Sequence, residues 1–130
     1  MTQVQPQIEK AIADIRSTFA ECNVEAEPDG GGGTYVIVHD VPLGLPYAQQ
    51  KIWVGFQITF QYPYADVYPH FTCPELARAD SRSLGEGIGN ANWRGRAVTQ
   101  LSRRSNKLNP ATDTAALKLL KVMQWLRTHP

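Results

Sequence analysis

Apolar residues recur at helical spacing over residues 6–21, where Ile8, Ile12, Ile15 and Phe19 form one stripe and Glu9, Lys10, Asp14 and Arg16 fall mostly outside it. This periodicity predicts an amphipathic helix covering a sheet, and Pro6 suits its first turn, where an N–H has no intrahelical acceptor. A short strand is expected at Asn23–Glu27. Asp29 and the four glycines Gly30 to Gly33 then read as a mobile hairpin tip, since glycine adopts positive φ without steric cost. The β-branched run Thr34 to Val38 reads as a strand, which argues against a phosphate-cradling loop because such a loop opens a helix.

Between Lys51 and Gln61 the period changes to two. Ile52, Val54, Phe56, Ile58 and Phe60 alternate with Trp53, Gly55, Gln57 and Thr59, so one face of a strand is apolar. Trp53 and Phe56, an odd three residues apart, are expected on opposite sheet faces. The segment PLGLPYAQQ (42–50) is a proline-bearing turn, and His70 to Cys73 is a short fourth strand that Pro74 ends. Residues 74–109 lack periodicity and read as a long irregular segment. At the end, Asn109-Pro110 breaks the chain, and Thr112 or Asp113 is the expected cap. Ala116, Leu119, Leu120, Met123 and Leu126 then make a helical stripe up to Arg127. Met123 and Trp125 read as packing residues. The whole predicts an α+β domain: a helix, a four-stranded antiparallel meander, a long irregular segment and a second helix.

The chain of 130 residues has room for one domain. With 42% hydrophobic and 19% charged residues it is globular rather than disordered. No apolar run approaches the roughly 20 residues of a membrane span, and MTQVQPQIEK lacks a signal peptide's apolar stretch. Cys22 and Cys73 have neither a disulfide-framework nor a metal-ligand spacing, so a cytoplasmic protein with free thiols is expected, Cys22 in the core. Residues 1–66 hold three basic residues against eight acidic ones, and residues 67–130 hold ten against four. Arg94, Arg96, Arg103, Arg104 and Lys107 form the densest group, expected to be a docking face for an acidic partner. Trp93 is the one aromatic interleaved with them, which argues against nucleic acid. There is no Gly-x-Ser-x-Gly elbow and no zinc-ligand cluster beyond one weak His70-x-x-Cys73 pair, so neither metal nor cofactor is expected.

The segments VPLGLPYAQQ, KIWVGFQITF and YPYADVYPHF, with Tyr62-Pro63 and Pro69-x-Phe71, resemble the proline-punctuated core of the ubiquitin-conjugating enzyme superfamily and its RWD relatives. Asn109-Pro110 and the helix reaching Trp125-Leu126 are similar to that family's Trp-Ser-Pro and following helix. The divergence and the SRRSNKLNP segment look most like the bacterial conjugating-enzyme-like proteins. Those are encoded beside a ubiquitin-like protein, an activating-enzyme-like protein and a JAB-type peptidase, and are linked to phage defence. The resemblance implies the ubiquitin-conjugating sandwich fold, with a ubiquitin-like protein and a ubiquitin-activating-like enzyme as partners.

It also locates a departure. Where the family carries its nucleophilic cysteine, this chain has Val98, Thr99 or Gln100, and no His-Pro precedes Asn90 or Asn92. A thiolate is the usual acyl carrier because an appreciable fraction exists at neutral pH. The resemblance therefore leaves Thr99, Ser102 and Ser105 as hydroxyl candidates and Asn92 as a candidate oxyanion donor. Cys73 is an alternative, displaced nucleophile. A noncatalytic variant or RWD-like adaptor is the other expectation.

Overall fold

The computed structural model describes residues 4–105 and 107–129. The element order is α1 (Pro6–Thr18), β1 (Val24–Pro28), β2 (Thr34–Pro42), β3 (Lys51–Ile58), β4 (His70–Thr72), β5 (Ile88–Trp93), β6 (Arg96–Leu101) and α2 (Ala115–Thr128). The strands form one antiparallel sheet in the order β1-β2-β3-β4-β6-β5. The chain is thus α+β, with six strands rather than the four expected.

Both helices pack on one face of the sheet, against each other. Ile8, Ala11, Ile12 and Ile15 of α1 meet Leu119, Val122, Met123 and Leu126 of α2 over Val36, Val38, Val54, Phe56 and Ile58. The α2 stripe is rotated from the expected one: Leu120 is 44% exposed, while Ala115 and Lys118 are buried. Thr114, not Thr112 or Asp113, caps α2, its side-chain oxygen accepting from Leu117 N at 3.1 Å. Asp113 instead accepts from Asn109 N at 2.8 Å and holds the Asn109-Pro110 turn. Helix α1 stops at Thr18, and β3 stops at Ile58, leaving Phe60 55% exposed in the following turn. Cys22 is half-buried at the core's edge rather than within it.

The second sheet face has its own smaller cluster. Phe56 points to the helices, and Trp53 lies on the opposite face with Gly55 and Trp93, as the odd spacing requires. Trp93 stacks on Phe71 (centroids 5.0 Å) and meets Tyr35 edge-on (6.2 Å).

The segment expected to be irregular contains the β5–β6 hairpin. Asn92↔Ala97 and Trp93↔Arg96 pair across a two-residue turn in which Arg94 and Gly95 both have positive φ (52° and 81°). This is the hairpin turn geometry that glycine permits and arginine adopts at some cost. Alternation was invisible because β5 is an edge strand made largely of Gly89, Asn90, Ala91 and Asn92. Its place depends on β6 pairing with β4 (His70↔Leu101, Thr72↔Thr99).

The tetraglycine tip is tethered. Asp29 accepts from Gly31 N (2.7 Å), Gly33 N (3.0 Å) and Gln57 Nε2 (2.9 Å). These bonds outweigh the burial that opposes ionisation and hold the Asp29 carboxyl below its ordinary value. We expect Asp29→Ala to lower stability by about 1–3 kcal/mol, the range for hydrogen bonds to a charged group. A urea-midpoint shift with unchanged slope is the readout, and no shift would show the tip to be untied in solution.

Candidate functional site

Tyr62 and Pro63 begin the β3–β4 loop, and the Tyr62 hydroxyl accepts from Ala115 N at 3.0 Å, at the first residue of α2. That bond draws the loop 59–69 against the helix start and against the segment following β6. Three polar side chains from these three segments meet there. Ser105 Oγ lies 2.8 Å from Asp66 Oδ1 and 2.8 Å from Lys118 Nζ. Lys118 Nζ is 3.0 Å from Asp66 Oδ2, which also accepts from Ser105 N at 2.8 Å.

Lys118 is only 6% exposed, on the core face of α2 beside Ala115 and Val122. A buried ammonium persists only when paired, and Asp66 is the pairing group. Burial pulls the Lys118 pKa below an ordinary lysine's, against the opposing pull of Asp66. Burial also pushes the Asp66 carboxyl up, but the bonds from Ser105 and Lys118 outweigh it and hold the group below its ordinary value. Beneath them His70 is fully buried against Phe56 (centroids 4.9 Å). Burial and the nearby Lys118 charge drive its pKa down to about 3, so the ring is neutral.

The other hydroxyls are placed differently. Thr99 is 1% exposed on the helix-covered face of β6, and its Oγ1 has no hydrogen-bond partner among the described residues. Ser102 Oγ accepts from Gln100 Nε2 at 3.0 Å beside the ring of Tyr68. Asn92 is exposed near the β5–β6 turn, at the opposite end of the hairpin from Ser105. Cys73 is half-buried beyond Thr72, at the Thr99 end of β6 rather than the Ser105 end.

The basic group splits in two. Arg94 bonds Glu27 at 2.7 Å and lies 4.1 Å over Tyr35, with Arg96 beside it. Arg103, Arg104 and Lys107 stand at the other end of β6, about 17 Å away by strand rise alone. There Arg104 lies 4.6 Å over Tyr68. Ser102 and Arg104 draw the Tyr68 hydroxyl's pKa down. Tyr68, Ser102, Arg103, Arg104 and Trp125 line one open groove of about 380 Å³, so two aromatics absent from the local sequence are brought to the arginines.

Asp66 and Lys118 were not legible as site residues. The available signals were an acidic residue inside the Tyr-Pro loop and a lysine interrupting the buried side of a helix. Among the described residues no group of three or more His, Cys, Asp or Glu is arranged to hold a metal ion, and no helix is long and apolar enough to cross a membrane. No family model, curated protein or solved structure matches the chain.

Proposed function

We propose that this chain is a conjugating-enzyme-like component, of ubiquitin-conjugating or RWD-like fold, in a bacterial ubiquitin-like protein conjugation pathway. In this reading it carries or positions the ubiquitin-like protein without a cysteine. The observation that carries the proposal is the convergence at the start of α2. The Tyr-Pro loop is tied to α2 through Tyr62 and, through Asp66, bonds the segment in which the family resemblance expects the nucleophile, which carries Ser105 rather than a thiol.

Arg103 and Arg104 flank this point, and neither guanidinium has a carboxylate within ion-pair distance among the described residues. They suit an acidic partner, because a rim charge left unneutralised in the free protein steers association. Arg103→Glu with Arg104→Glu is expected to weaken binding to a ubiquitin-activating-like enzyme by at least about tenfold, since like charges juxtaposed at an interface cost several kcal/mol. Tm should stay unchanged, because neither side chain is buried. Unaltered affinity would remove the partner assignment, and steeply salt-dependent binding of single-stranded nucleic acid in its place would redirect it.

The activity is tested by incubating the protein with the activating enzyme, the ubiquitin-like protein and ATP. An adduct that resists thiol reductant but yields to hydroxylamine is the expected oxyester. A reductant-sensitive adduct lost in Cys73→Ala moves the site to the thiol. Stable binding of the activating enzyme with no adduct identifies a noncatalytic adaptor.

A further inference from the structure

We propose that Ser105, Lys118 and Asp66 form a serine–lysine acyl-acceptor site. Ser105 Oγ takes a slender acyl group from a thioester, Lys118 Nζ takes the seryl proton, and Asp66 positions both. The identity of the acyl donor rests on the reading above; the chemistry of the three residues does not.

A serine hydroxyl is a weak nucleophile unless a base lies within hydrogen-bond reach and is itself oriented by a third group. Lys118 Nζ is at 2.8 Å from Ser105 Oγ, and Asp66 fixes the pair. Its Oδ2 holds Lys118 Nζ and the Ser105 backbone N–H, while its Oδ1 accepts from Ser105 Oγ. With three of its acceptor positions filled and bonds stabilising its charge, Asp66 is a poor proton acceptor. The lysine is the better base once it has shed its own proton. Burial favours that loss, as do the charges of Arg103, just after β6, and Lys121, on the same helix. Asp66 opposes it, and neutral His70 on β4 adds no charge. Buried lysines adopt the base role for this reason, because desolvation penalises the ammonium more than the amine.

The step balances without a co-reactant. With Lys118 as the neutral amine, the Ser105 hydroxyl turns from Asp66 Oδ1 to Lys118 Nζ, and Ser105 Oγ attacks the thioester carbonyl as its proton passes to that nitrogen. The tetrahedral adduct collapses with cleavage of the carbon–sulfur bond, and the departing thiolate takes the proton back from Lys118. The products are an ester on Ser105 and a free thiol.

The cleft restricts the acyl group. It is lined by Tyr62, Pro63, Ala65 and Leu108, with Lys121 at its edge, and its enclosed part is about 10 Å³. That is room for roughly one water-sized group.

The test uses the full chain and p-nitrophenyl acetate, with acetylated Ser105 quantified by peptide mass spectrometry. Acetylation of Ser105 is expected in the wild type, rising with pH through a midpoint below the ordinary lysine value. Lys118→Met should reduce the rate by about a hundredfold or more, the usual share of a general base. Lys118→Arg is the decisive variant: it keeps the cation and the bond to Asp66 but cannot give up its proton, so a structural role is rescued by it and a base role is not. Loss of labelling in Lys118→Arg with preserved Tm supports the proposal. Labelling of Ser105 at the wild-type rate in Lys118→Arg, or labelling confined to other residues, overturns it. Labelling of Ser105 with no adduct from the ubiquitin-like pathway would sink the pathway and leave the site standing.

Discussion

Lowering the pH from 7 to 4.5 is expected to remove about 2–3 kcal/mol of folding stability through one residue, His70. The ring is fully buried, and neither nitrogen has a hydrogen-bond partner among the described residues. Its pKa falls from 6.5 in the unfolded chain to about 3 in the fold, because burial disfavours the imidazolium and the Lys118 charge adds repulsion. Between those two values the unfolded state binds a proton that the folded state does not, so stability falls as pH falls. The loss starts near pH 6.5 and is complete near pH 3. Asp66 adds to it at the acid end, since its lowered carboxyl pKa supplies stability that is lost below the ordinary aspartate value. His70→Phe keeps a ring against Phe56 and removes the titration, so its stability should be nearly flat from pH 7 to 4.5. Urea unfolding of both proteins across that range is the measurement. A flat profile in the wild type, or the same slope in His70→Phe, would falsify the assignment to His70.

The second large effect is at the other sheet face. A Cβ built on Gly55 would sit 2.7 Å from Trp93 Cη2 and closer still to Trp93 Cζ3, with Trp53 Cζ3 at 3.2 Å. Only a glycine lets the indole approach the strand this closely, and that contact seats the hairpin tip across the sheet. Arg94, next in the chain, extends the same tie to Glu27 on β1. Trp93→Ala is expected to cost about 3 kcal/mol, at the lower end for an aromatic truncation because the ring is only partly buried. Gly55→Ala should cost about 1–3 kcal/mol by overpacking and push Trp93 toward solvent. With Trp53→Phe and Trp125→Phe as background, a red shift of the remaining Trp93 emission reports that movement. Emission unchanged by Gly55→Ala would mean the indole does not rest on this strand.

These two residues show what pattern alone conveys. Gly55 occupies an outward position in a regular period-2 strand, so the sequence placed it on the correct face while giving no hint that an indole from 38 positions later covers it. The short strand that the sequence predicts around His70 is present as β4. The neutrality of His70 comes from burial against Phe56 and from the charge of Lys118, which belong to two other segments, and it holds against the opposing charge of Asp66. The candidate hydroxyls divide on the same principle. Thr99, Ser102 and Ser105 are equivalent as a polar stretch, and strand pairing with Thr72 turns Thr99 into the sheet–helix interior.

Local pattern suffices for the helices at both ends, the alternation of β3, the hairpin tip at Gly30 to Gly33 and the separation of Trp53 from Phe56. Each follows from a local period or a local backbone preference, and burial of the apolar face reinforces both. Long-range packing sets the β5–β6 hairpin, the rotation of α2 that buries Lys118, and the meeting of that lysine with Asp66 and Ser105. An edge strand of glycine and asparagine has no apolar face to announce it and gains its order from β6 pairing with β4. An ion pair between residues 52 positions apart and a hydrogen bond between residues 13 apart leave no periodic trace, because their stability comes from the low-dielectric space that the rest of the fold encloses.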